Sequence, residues 1–198
     1  MRTGVIASLT GACLAVLGLG QPAFANILIN VDKTTQTMNV VVDGWPRYNW
    51  KVATGGMGYD TPNGRFTIFR MDEKHRSKEW NNAPMPYAMF FNWVKGGYKT
   101  GLAIHAATGE DIPLLGRRAS AGCIRLSPEN ARMLFSLIRE HYKGLAPKFA
   151  YDRRTGTMSN DGILLHDAQG RVQMAEGYRV LIFIENYGGN DNIVAALF

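Results

Sequence analysis

From residue 26 the chain alternates apolar and polar positions. "ILINVD" (27–32) and "TMNVVVDG" (37–44) place an aliphatic side chain at every second position, the period of a strand with one buried face. The polar "KTTQ" between them reads as a turn, and Asp43-Gly44 opens the next one. "YNWKVATGG" predicts a third strand running into glycines. Pro62 and Asn63-Gly64 supply turn chemistry before a further alternation at Phe66, Ile68 and Arg70. Residues 71–82 are charged and read as a loop. "MPYAMFFNWV" (85–94) is rich in aromatics, and "GLAIH" (101–105) is a short apolar strand ending on a histidine. The interval 106–119, "AATGEDIPLLGRRA", has no sustained period and reads as a loop.

After the strand-like "CIRL" the period changes. Ser127 offers an N-cap and Pro128 the first helical position, and Met133, Leu134, Leu137 and Ile138 recur at helical spacing until Gly144. Further on, "GILLHDAQGRVQMA" reads as a hairpin about residues 168–170, and "YRVLIFIEN" (178–186) as a buried strand. The last dozen residues carry "GGND" and are expected to fray. These elements predict a mostly β fold with minor α, a small sandwich or barrel with one substantial helix.

The first 25 residues belong to a different pattern. Arg2 precedes an apolar run, Gln21-Pro22 break it, and Ala23-Phe24-Ala25 give the small-x-small order that a signal peptidase reads. The apolar run is shorter than the roughly 20 residues a spanning helix requires. The expectation is a leader over 1–25 cleaved after Ala25, one folded domain over 26–186 and a tail over 187–198, with no membrane span in the mature chain and a periplasmic location. Removing the leader takes one base and no acid from the formal charge of +6. The remaining bases are scattered, which argues against a nucleic-acid partner. No internal repeat is evident.

The chain holds two cysteines, and cleavage would discard Cys13, so Cys123 would stand alone. A single thiol in an exported chain is a buried filler, a bridge to another molecule, or a reagent. Its surroundings bear on the choice. His105 ends one strand, Cys123 begins another 18 residues later, and Ser120, Gly122 and Arg125 lie around it. Attack by sulfur needs thiolate, so a cysteine nucleophile needs a base, and an imidazole held by a third group is the minimal partner. Gly122 allows backbone to approach a substrate, and successive amides there suit a developing oxyanion.

Taken together, "VDKTTQTMNVVVDG", "ATGG…YDTPNGRF", "MPYAMFFNW…GLAIH" and "SAGCIRLSPENA" resemble the L,D-transpeptidase catalytic domain (YkuD type) over about residues 27–137. The resemblance implies the following. Cys123 would be the acyl-accepting nucleophile and His105 its base, with the Ala106 main-chain carbonyl fixing the imidazole tautomer. The Gly122 and Cys123 amides would form the oxyanion site. Ser120, Arg125 and Tyr87 would shape or contact the substrate, Arg125 meeting a substrate carboxylate or a local acid. Peptidoglycan stem peptides would be donors, and another stem, an envelope protein or water the acceptor. No metal or organic cofactor would be required. The chain departs from the pattern in having Ala106 after the histidine and Ala121 between serine and glycine, which removes a second basic group beside the thiol. Residues 145–177 look like an insertion.

Other readings differ in specific features. A sortase shares the order histidine, cysteine, arginine, but its arginine lies further along the chain. A papain-like peptidase places cysteine before histidine. An inactive wall-binding domain could use the aromatics between Trp80 and Trp93 without needing Cys123 and His105. Zinc needs three or four ligands, and His75, His141 and His166 show no ligand spacing with His105 and Cys123.

Overall fold

The computed structural model of the chain describes residues 26–91, 101–148 and 164–186, with the backbone of 94–95 and 98–99. The expected leader, the expected tail and residues 149–163 lie outside the described residues. β1 (Ile27–Asp32), β2 (Thr37–Val42) and β3 (Trp45–Lys51) form a meander whose first turn has Gln36 at φ +55° and whose second has Asp43 and Gly44 at +49° and +82°. β4 (Gly64–Ser77) and β5 (Ala83–Phe91) make a long antiparallel ribbon. β6 (Val94–Lys95) and β7 (Tyr98–Lys99) form a small ladder of their own, and β8 (Ala103–Ala106) follows. A 3-10 helix (Gly109–Leu114) leads to β9 (Ile124–Leu126) and α1 (Pro128–His141). β10 (Lys143–Pro147), β11 (Met174–Tyr178) and β12 (Val180–Glu185) complete the order.

Eight strands join in one open mixed sheet in the order β3-β2-β1-β12-β4-β5-β8-β9, so the fold is mostly β, with one α-helix among the described residues. The pairs β1–β12 and β8–β9 are parallel and the others antiparallel. β12 therefore lies inside the sheet, between β1 and β4. β10 and β11 pair with each other across the base of the segment expected to be an insertion.

The alternation in β1 and β2 has its physical counterpart: Ile27, Ile29, Val31, Met38 and Val40 are at most 1% exposed and join Phe66, Ile182 and Ile184 in the core. α1 closes this core with Ala131, Leu134, Phe135 and Ile138, the 3.6-residue stripe of an amphipathic helix. Burying its three large side chains contributes roughly 1.5–3 kcal/mol each. Ser127 Oγ accepts the Asn130 amide at 3.2 Å, and Pro128 follows at N1. Met133 lies largely outside this stripe, 37% exposed.

Two expectations fail. Residues 71–77 belong to β4 instead of a loop, because the β5 backbone pairs with them register by register from Met71↔Met89 to Ser77↔Ala83. Ladder hydrogen bonds hold this ribbon where hydrophobic burial is sparse. The interval 106–119 also contains the 3-10 helix, which carries Asp111 toward the site described next.

Candidate active site

β8 and β9 run side by side in parallel, with Ile104 opposite Ile124 and His105 opposite Arg125. Cys123 immediately precedes β9, so the same register carried back one step sets it opposite Ala103, two positions before His105, and brings the cysteine near the histidine. Both line a cavity of about 800 Å³, together with Tyr59, Trp80, Leu102 and Arg125. This is within the usual range for a small-ligand site.

His105 is 5% exposed, and its Nδ1 lies 2.8 Å from the Ala106 carbonyl oxygen. A carbonyl only accepts, so Nδ1 carries the proton and Nε2 keeps its lone pair. Burial pushes the imidazole down to about 4; the bond to Ala106 opposes this, and the charge of Arg125 adds to it. The sulfur of Cys123 packs against a small apolar cluster of Met85, Ala88, Phe90 and Ala103. That burial pushes the thiol up to about 11, against a backbone hydrogen bond with Ala103 and the charge of Arg125. The resting site therefore holds a neutral imidazole and a neutral thiol.

The turn before β9 is fixed from two sides. Ser120 is 4% exposed; its hydroxyl donates to the Cys123 carbonyl and accepts the Gly122 amide at 3.2 Å. Thr61 donates from Oγ1 to the Gly122 carbonyl at 2.9 Å and accepts the Gly55 amide at 2.8 Å. Gly122 has φ +102°, and a Cβ there would stand 3.0 Å from Leu102 Cδ2, so glycine suits both the backbone and the space. Behind Thr61 lies a buried lysine: Lys33 Nζ donates to both carboxylate oxygens of Asp60, at 3.0 and 3.1 Å, and to the Thr61 carbonyl at 2.6 Å. Arg118 reaches Asp60 from the other side and the Gly55 carbonyl at 3.1 Å.

Several expected site residues are placed differently. Ser120 does not line the cavity, because its hydroxyl is taken up by the turn. The Gly122 amide, expected as a free oxyanion donor, is engaged by that same hydroxyl. Tyr87 is also absent from the lining; at φ +57° it turns its ring edge-on to Phe135 of α1, centroids 5.7 Å apart. Arg125 does line the cavity, and its guanidinium pairs with Asp111 at 2.9 Å and donates to the Ala119 carbonyl at 3.1 Å. Lys33, Asp60, Thr61 and Asp111 escaped sequence reading. Only "YDTPNGRF" pointed to the loop that holds two of them. Among the described residues no group of three or more His, Cys, Asp or Glu side chains could hold a metal ion. No described helix is long and apolar enough to cross a membrane.

Comparison with known proteins adds the following. The family model for the L,D-transpeptidase catalytic domain, YkuD, matches residues 26–157. Among curated proteins no match is found. Among solved structures the chain is similar to an L,D-transpeptidase from Mycobacterium smegmatis, at 18% identity and TM-score 0.52, over 81% of this chain and 59% of that one. It is similar to one from Mycobacterium tuberculosis H37Rv at 16% identity and TM-score 0.53, over 81% and 58%. An Enterococcus faecium L,D-transpeptidase matches at 18% and 0.52, over 81% and 50%. These structural likenesses concern the fold, and the chain spans less than two thirds of each neighbour's length.

Proposed function

The chain belongs to the L,D-transpeptidase catalytic-domain family, and from that premise we propose that it is a peptidoglycan transpeptidase using Cys123 as its nucleophile. The single observation that carries this reading is the locked tautomer of His105. Its Nδ1–H is held by Ala106, so Nε2 is a proton acceptor in the cavity that Cys123 also lines.

With a neutral pair, the thiolate forms during attack. His105 Nε2 takes the thiol proton as sulfur adds to the carbonyl of the diamino residue at the third position of a tetrapeptide stem. The tetrahedral intermediate collapses, the C–N bond to the terminal D-alanine breaks, and the imidazolium returns the proton to the leaving amine. An acceptor amine then attacks the thioester, and sulfur leaves with the proton relayed through His105. A stem acceptor gives a cross-link, an envelope protein gives a tethered protein, and water gives carboxypeptidation. The Cys123 amide serves as the oxyanion donor. Ser120 and Thr61 act as positioning residues for the turn.

This reading includes export of the chain by a leader cleaved after Ala25, action in the periplasm, and a catalytic domain over 26–186 with 145–177 inserted. Intact-protein mass spectrometry with tetrapeptide muropeptide tests it. The expected result is D-alanine release and an acyl adduct on the native chain, neither of them on Cys123→Ala. An adduct that survives that substitution overturns it.

A further inference from the structure

Three acidic side chains line the cavity: Asp60, Glu79 and Asp111. Two of them are neutralised, Asp111 by Arg125 at 2.9 Å and Asp60 by Lys33 at 3.0 Å and by Arg118. Glu79 has no hydrogen bond or ion pair among the described residues. Its charge nevertheless reaches the sulfur, adding to the influences that push the Cys123 thiol up. A carboxylate so placed opposes thiolate formation and so works against the first chemical step. Stability does not account for it, since the side chain is exposed and unpaired.

Its neighbours suggest what it serves. Trp80, 44% exposed, meets Tyr59, 52% exposed, edge to face with centroids 5.2 Å apart. Both rings line the same cavity. Two open aromatic rings beside an unpaired carboxylate are the chemistry that recognises an organic cation.

We infer that Glu79, Tyr59 and Trp80 form a subsite for a cationic amine, which, on the function proposed above, draws in the acceptor in preference to water or a neutral nucleophile. The acceptor arrives as an ammonium and gives one proton to solvent. Its nitrogen bonds to the thioester carbon and the C–S bond breaks. The nitrogen's surplus proton passes through His105 to the departing sulfur. Positive charge builds on that nitrogen as the C–N bond forms, and Glu79 stabilises it. The same carboxylate therefore hinders acylation and favours aminolysis.

Two measurements on the full chain test this separately from the function itself. In the first, Cys123→Ala protein, which forms no thioester, is titrated with Nα-acetyl-lysine amide and with its neutral norleucine counterpart by ligand-observed NMR. The cation should bind at least fivefold more tightly, and added salt should shrink the difference. Adding Glu79→Gln should abolish the difference, and adding Trp80→Ala should reduce it several-fold; both positions are exposed, so neither change threatens the core. In the second, the acyl-enzyme is resolved by lysine amide in competition with water. Glu79→Gln should lower the amine-to-water partition about tenfold while acylation quickens. Equal binding of cation and neutral probe, or a partition unmoved by Glu79→Gln, overturns the inference. Failure of the native chain to form an acyl-enzyme, with charge-selective binding intact, defeats the proposed function and leaves the subsite standing.

Discussion

His105 and Arg125 face each other in the parallel register of β8 and β9, yet the guanidinium turns away to Asp111 at 2.9 Å. The pair is partly buried, with side chains 17% and 33% exposed. Asp111 thus moderates a cation whose charge already depresses the imidazole. Asp111→Asn should lower stability by roughly 1–2 kcal/mol, since it leaves a partly buried charge unpaired. It should also move the His105 titration to still lower pH, which ring-proton NMR would register. An unchanged titration would mean the pair is purely structural.

The buried hydroxyl of Ser120 serves two backbone groups. Ser120→Ala leaves both without that partner and should cost about 1–3 kcal/mol by denaturant unfolding. Because the hydroxyl holds the turn and does not line the cavity, the acylation rate should fall while affinity for the donor holds. A rise in KM with kcat unchanged would place the hydroxyl on the substrate instead.

Stability should depend on pH through His105. Its folded value of about 4 lies below the ordinary 6.5, so between those limits the unfolded chain binds more protons. The contribution is complete above pH 6.5 and is lost as pH falls toward 4, amounting to roughly 3 kcal/mol. Urea unfolding at pH 7 and pH 4.5 measures the slope, and His105→Gln should flatten it.

The thiol has the opposite sign. Its folded value of about 11 exceeds the reference 9.0, so the contribution is present below pH 9 and is lost as pH rises toward 11. Alkylation of Cys123 by iodoacetamide should accordingly keep accelerating through pH 9 and beyond. A plateau near pH 6 or 7 would reveal a preformed thiolate–imidazolium pair and contradict the neutral resting site.

Lys33 reaches the turn that carries Cys123 indirectly, through Asp60, Thr61 and the Gly122 carbonyl. Its side chain is 1% exposed while that of Asp60 is 58% exposed, so the ion pair itself is well screened. Lys33→Met should lower stability by roughly 2 kcal/mol, mostly through the unmet Thr61 carbonyl. Acylation should slow as well. Undiminished acylation at a lowered melting point would show that the loop holds the turn without the lysine.

Much of this was legible in the chain because it rests on local signals. Strand alternation in β1 and β2, the Ser127-Pro128 helix start, and the spacing of His105 and Cys123 are all short-range patterns. What escaped depends on pairing between distant segments. Residues 71–77 carry charges that no periodicity marks as strand, and only the β5 backbone makes them one. Asp111 is fourteen positions from Arg125 and Lys33 is twenty-seven from Asp60, so neither partnership has a sequence signature. Tyr87 sits in an aromatic run that no local pattern sorts, and its packing is set by α1, whose Phe135 lies forty-eight positions further on.

The place of β12 has one more consequence. The centre of the sheet is filled by a strand drawn from near the carboxyl end, wedged between two that emerge early in synthesis. A growing polypeptide can assemble the first meander and the long ribbon separately, but cannot join them until that late segment arrives. Such high contact order slows folding. The cavity that His105 and Cys123 share borders β8 and β9, which continue the sheet beyond β4 and β5, so it rests on a scaffold completed only once β12 is in place.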